Sequence, residues 1–196
     1  MTIEEAKAKL KEGNQAYVKS GRNPGTFERA ERERLAREGQ HPYACVISCS
    51  DSRVVPEHIF SAGLGQLFTI RNAGNVIGVH EIGSCEYAAE HLHVPLIVVL
   101  GHTHCGAVEE AFKQAADTHE KQKEDALESP IEEVVREILE VTGEYTDTSA
   151  MEIENARAGV EKLRKDPTLA RLAADGELAI LAAIYDTESG FVRFDI

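Results

Sequence analysis

Three short apolar runs, each leading straight into a loop of polar or reactive side chains, constrain this chain more than any other feature. They are YACVIS at 43–48, QLFTIR at 66–71 and LIVVLG at 96–101. Such runs are too short for a core helix, and continuous apolar character marks strands covered on both faces of a parallel sheet. The stretches between them have helical spacing. Thr2 and Glu5 stand at capping-box distance ahead of Ile3, Ala6 and Leu10. A polar helix is expected around Phe27 to Glu38, another over His80 to Leu92, and a further one from about Ala107. Ser129, Pro130 and Glu132 read as cap, first helical position and box-closing carboxylate, and helices continue to Gly176 with a break near Asp166 and Pro167. The segment 178–194 reads as a buried strand, a turn containing Gly190 and a short closing strand. Strands alternating with helices predict an α/β fold. Its central sheet has about four parallel strands plus a C-terminal antiparallel strand and is flanked by helices. A helical arm is expected over residues 1–40 and a single α/β domain over 41–196.

With 196 residues, 42% of them apolar, the chain supplies one core and is not expected to be disordered. The longest apolar run, Leu96 to Leu100, is far short of the ~20 residues of a membrane-spanning helix. Acidic residues outnumber basic ones 34 to 21, for a net charge of −13. That balance argues against nucleic acid as a partner. Residues 109–154 alone carry 15 acids and 4 bases and read as a helical insert with a solvated face. The amino terminus is charged within its first five residues and has no apolar core of a secretory signal, which predicts a cytoplasmic protein. In that reducing compartment Cys45, Cys49, Cys85 and Cys105 are expected to be reactive, metal-bound or buried thiols rather than disulfides. Cys45 and Cys85 read as buried.

The chemistry gathers at Cys49, after the first run, and at His102 with Cys105, after the third. In an open parallel sheet, sites assemble beyond the carboxyl ends of the strands, so the two loops converge if their strands are neighbours. Two Cys and one His, with no fourth Cys or His at regular spacing, is the ligand count of a catalytic zinc centre with one position open. Asp51 and Arg53, read as i and i+2 of an extended stretch, project to one side and can pair beside the metal. Asp51 is then either an acceptor for a zinc-bound water or, if Arg53 releases it, a fourth ligand.

CSDSR at 49–53, RNAGN at 71–75 and GHTHCGAV at 101–108 resemble the signature of the β-class carbonic anhydrases, closely over about residues 40–108 and more weakly towards both ends. The resemblance implies one Zn2+ per subunit and the reversible hydration of CO2 to bicarbonate by zinc-bound hydroxide, with a homodimer or higher homo-oligomer as the working unit. Position by position, it makes Cys49, His102 and Cys105 the zinc ligands and Asp51 with Arg53 the catalytic dyad. Gln40, Phe68, Ala73, Tyr87 and Gly106 become substrate-pocket residues, several of them supplied by the neighbouring subunit. Val46 stands where a bicarbonate-inhibited subtype has Trp, so the subtype with water as the fourth ligand is favoured. Val76 is a further wall candidate, and His41 and His104 are candidate proton relays. Rival readings are a hydrolase of carbonyl sulfide or carbon disulfide on the same scaffold, and a non-enzymatic zinc or thiol sensor closed by Asp51.

Overall fold

A computed structural model describes residues 1–23, 25, 27–117, 129–142 and 147–196. Parts of the acidic stretch, 118–128 and 143–146, lie outside the described residues. The sheet has five strands: β1 (Ala44–Cys49), β2 (Leu67–Asn72), β3 (Leu96–His102), β4 (Ala179–Tyr185) and β5 (Val192–Phe194). Their order is β2-β1-β3-β4-β5, with the first four parallel and β5 antiparallel to β4. Four parallel strands and a closing antiparallel one match the expectation from the apolar runs, whose order the sequence left open. Every residue of β1 and β3 is buried, as the central strands of a doubly covered sheet must be.

Alternate residues feed two cores, because successive side chains of a strand point to opposite faces. Cys45, Ile47, Ile97, Val99, Ile180 and Ala182 pack under α4 (Val79–Glu86), α7 (Thr148–Arg164) and α8 (Pro167–Ala174). Ala44, Val46, Leu96, Val98 and Leu100 face α1 (Ile3–Ser20) and Phe60, which caps the short α3 (Pro56–Ile59). The α1 stripe is Ala6, Leu10 and Asn14, at helical spacing and all buried. Asn14 is a buried amide with every need met: its Nδ2 donates to Ile59 O and Gly190 O, and Val192 N–H donates to its Oδ1. One side chain thus clips α1 to both α3 and the closing hairpin.

The capping box at Thr2 forms in full. Glu5 N–H donates to Thr2 Oγ1 (3.2 Å) and Thr2 N–H to Glu5 Oε2 (2.8 Å). Ser129 N–H donates to Glu132 Oε2 at the start of α6 (Pro130–Thr142), and Asp166 caps α8 through Leu169 N–H. The polar second helix, α2, covers Arg29–Glu38, and α5 covers Gly106–Asp117. One expectation needs correction: the helix over 80–92 is α-helical only to Glu86 and widens into a π turn over Tyr87–His91, where Leu92 N–H reaches back to Tyr87 O. The wider turn lets Cys85, Ala88 and Ala89 all bury. Among the described residues no helix is long and apolar enough to cross a membrane.

Candidate metal centre

β1 and β3 are hydrogen-bonded neighbours, so the loops leaving their carboxyl ends lie side by side. There Cys49, His102 and Cys105 each present one ligand atom, all within 4.8 Å of one another. All three residues are at least 95% buried. His102 Nδ1 lies 3.0 Å from Thr103 O and must donate to it, since a carbonyl only accepts. Nε2 is therefore a bare acceptor, and it has no hydrogen-bond partner among the described residues. A backbone carbonyl on one ring nitrogen and an open second nitrogen is the usual state of a metal-ligating histidine. Two sulfurs and an imidazole suit zinc and are a poor set for Mg2+ or Ca2+, which take oxygen. The residues fit the group.

The electrostatics agree. Cys49 is drawn down to about 4, first by a hydrogen bond from the Cys105 thiol, against the cost of burial, and further by His102 and two backbone amides. Those amides, Asp51 N–H and Gly74 N–H, each lie 3.4 Å from Cys49 Sγ. Gly74 reaches the sulfur at φ +71°, and a Cβ there would stand 3.0 Å from Ile138 Cδ1. Cys105 is pushed far up by the Cys49 sulfur and by burial. Charge on one of the two sulfurs thus disfavours charge on the other. Burial works against charge on His102, while the Cys49 sulfur, the Thr103 carbonyl and the Asp51 carboxylate favour it and together raise the imidazole.

Asp51 and Arg53 do pair, in a turn rather than the extended stretch expected. Val54 N–H donates to Asp51 O, and Arg53 N–H to Asp51 Oδ1 (2.9 Å). The guanidinium grips the carboxylate at two points, Nε to Oδ1 (3.0 Å) and Nη2 to Oδ2 (2.7 Å), and reaches His104 O (2.8 Å) on the other loop. This grip holds the Asp51 carboxyl at about 2. Arg71, at the end of β2, donates to Cys49 O and Asp51 O and so fastens the same loop from the opposite side.

Two further contacts come from α7, whose first turns lie in the acidic stretch read as a solvated face. Cys105 N–H donates to Glu152 Oε1 (2.9 Å), and Asn155 Nδ2 donates to Gly74 O (2.8 Å). Both residues, on α7, are buried, and burial pushes the Glu152 carboxyl up. Reading the acidic segment as wholly solvent-facing is therefore wrong at Glu152. No sequence signal separates it from its acidic neighbours, because its partner is 47 residues away.

Of the other expected pocket residues, Ala73 and Gly106 adjoin the centre and are exposed, directly after β2 and directly after Cys105. Within one chain the remaining three lie elsewhere. Phe68 pairs with Cys45, four residues from the Cys49–Asn72 level, or roughly 13 Å along the strand. Its ring lies 6.1 Å from that of Tyr87, which is 47% exposed. Gln40 is exposed ahead of the amino end of β1, whereas Cys49 is its carboxyl end. Val76 packs at the edge of the cluster that contains Cys49 and Cys105, while Val46 is buried in the α1 core. His41 and His104 are exposed. Cys45 and Cys85 are fully buried free thiols.

The family model described as carbonic anhydrase matches residues 44–192. Carbonic anhydrase 2 of Mycobacterium tuberculosis is 46% identical over 108 residues, 55% of this chain and 52% of that protein, so the match spans about half of that relative's length. Among solved structures, the β-carbonic anhydrase CcaA superposes with a TM-score of 0.69 at 29% identity, covering 96% of this chain and 94% of that one. One of two tetrameric β-carbonic anhydrases of the filamentous ascomycete Sordaria macrospora gives 0.70 at 25% identity over 92% and 90%. The family model spans more than half of the sequence and the fold matches nearly end to end; the chain belongs to the β-carbonic anhydrase family.

Proposed function

We propose that this chain is a zinc-dependent carbonic anhydrase that interconverts CO2 with bicarbonate and a proton. The observation that carries the reading is the buried Cys49, His102 and Cys105 set, with a bare His102 Nε2, set beside a two-point Asp51–Arg53 pair. Zinc held by the two sulfurs and Nε2 supplies Lewis acidity that brings the pKa of a water towards about 7. The chain's own residues do the rest. Asp51, kept ionised by Arg53, is an acceptor that orients a hydroxyl proton beside the centre. The same grip restrains Asp51 from moving in as a fourth ligand, which favours the open form. Arg53, bonded to His104 O, and Arg71, bonded to Cys49 O, fix the two loops against each other. The exposed Ala73 and Gly106 form the mouth.

Gln40, Phe68 and Tyr87 lie too far along the sheet to serve the centre of their own chain. They are proposed to complete the pocket of a second copy, making a homodimer the smallest complete unit. β2 is an edge strand, and the exposed Val79 and Tyr87 stand on the helix and turn that follow it, which supports that assembly. The tetrameric Sordaria proteins extend the proposal to higher oligomers. Four free thiols suit a reducing, cytoplasmic setting.

The test is stopped-flow CO2 hydration with metal analysis on the same preparation, set beside sulfide release from carbonyl sulfide and carbon disulfide. Hydration that tracks zinc content is expected. Negligible hydration with rapid sulfide release would overturn the reading in favour of the sulfur substrates.

A further inference from the structure

We infer that α7 braces the metal centre, with Glu152 and Asn155 as positioning residues that fix the Cys105 loop and the loop after β2, whose Gly74 amide meets Cys49 Sγ, relative to each other. The inference rests on the zinc reading above. Residues three apart on a helix share a face, and here that face is turned inward, with Glu152 only 4% and Asn155 only 5% exposed. Each holds one loop. Glu152 Oε1 takes the N–H of Cys105 itself. Asn155 Nδ2 holds Gly74 O, and Gly74 N–H points at Cys49 Sγ. A single helical turn is therefore one link from one sulfur and two links from the other.

Burying a carboxylate is expensive, and an aliphatic residue would fill the same space without that cost. Its hydrogen bond to the ligand loop is what the position gains. The sheet makes room for this contact. Gly101, one residue before His102, has no side chain to keep α7 away. A Cβ there would lie 2.8 Å from Ile184 Cδ1 and 3.1 Å from Glu152 O. Helix, glycine and ligand loop form one packed unit, so a shift of α7 would be transmitted to the sulfur spacing. Outer partners of this kind commonly change metal affinity about 10–100-fold.

The experiment measures Zn2+ affinity of the full chain by competition with a chromophoric chelator. Thiolate-to-cobalt absorption of the Co2+ form and thermal unfolding of the zinc-free form are recorded in parallel. Glu152→Ala and Asn155→Asp, the latter removing the donor without changing shape, are each expected to weaken Zn2+ binding about 10–100-fold and to alter the cobalt spectrum. Glu152→Gln keeps an acceptor oxygen in place and is expected to remain near wild-type affinity. A merely structural role would lower the unfolding temperature and leave the affinity of folded protein unchanged, so wild-type affinity in Asn155→Asp or in folded Glu152→Ala overturns the brace. So does a Glu152→Gln variant that binds zinc at least tenfold more weakly than wild type. A wild-type chain that binds no zinc overturns the reading beneath it, whereas tight wild-type binding left unchanged by the variants overturns the brace alone.

Discussion

The two ends of the sheet solve opposite problems. At the amino end, where β1, β3 and β4 begin, the lining is Ala44, Leu96 and Ala179, and backbone groups find partners, Tyr43 N–H on Gln66 O and Ala179 N–H on Pro95 O. At the carboxyl end stand four buried polar atoms without hydrogen-bond partners among the described residues: Ser48 Oγ, Asn72 Oδ1, Asn75 Nδ2 and His102 Nε2. An orphaned buried polar group costs about 1–3 kcal/mol. A chain that satisfies its polar groups at one end and leaves them open at the other is stabilised at the first and reserves the second for binding.

The largest effect should come from breaking the open end. Cys49→Ser is expected to lose zinc and with it essentially all CO2 hydration, while the far-ultraviolet circular dichroism stays that of the wild type, since the sulfur contributes to the centre and little to the core. Loss of the folded spectrum together with the metal would show that the centre also holds the sheet together. Leu96→Ala attacks the closed end. Leu96 is fully buried, and truncation should cost about 2–5 kcal/mol in chemical denaturation. Zinc content and turnover of the folded protein should be untouched; a change in either would show that the two ends are coupled.

A smaller effect separates holding the metal from using it. Asp51→Asn keeps the shape of the turn but removes the charge that Arg53 grips at two points. Full zinc occupancy with hydration reduced on the order of 10²-fold is expected, the scale of losing one oriented polar group at a reacting centre. Unchanged hydration at full occupancy would remove Asp51 from the chemistry.

What the sequence reveals follows the range of each interaction. The capping box at Thr2, the Glu132 carboxylate that closes on Ser129 N–H, the strand runs and the closing hairpin are all readable, because each is decided within a few residues by caps, periodicity or turn chemistry. Cys49, His102 and Cys105 are readable as candidates because the topology of a parallel sheet brings strand ends together. The Asp51–Arg53 pair is visible from spacing, but its turn is not, since the hydrogen bond of Val54 to Asp51 O competes with extended backbone only in the folded chain. Glu152 and Asn155 are not readable. Their partners stand 47 and 81 residues away; Glu152 belongs to a stretch of charge that looks solvated, and Asn155, just beyond that stretch, is a lone amide with no local pattern.

The smallest effect belongs to a polar group at the carboxyl end that, unlike the four orphans, is fully served by its own turn. Asp186 follows β4, and its Oδ1 accepts from Ser189 N–H (2.6 Å) and Glu188 N–H (3.2 Å). The Ser189 amide, then its hydroxyl, hold the carboxyl below its ordinary 3.8. A depressed folded value means that the stabilisation is complete above pH 3.8 and fades as pH falls from there through the folded value. The group is only partly buried, so solvent screening keeps the effect small. The unfolding temperature of wild type should therefore exceed that of Asp186→Asn slightly at neutral pH, and the gap should close below pH 3.8. A gap that persists unchanged to pH 2 would place its origin in turn geometry rather than charge, and the contrast between satisfied and orphaned groups at this edge would then be steric.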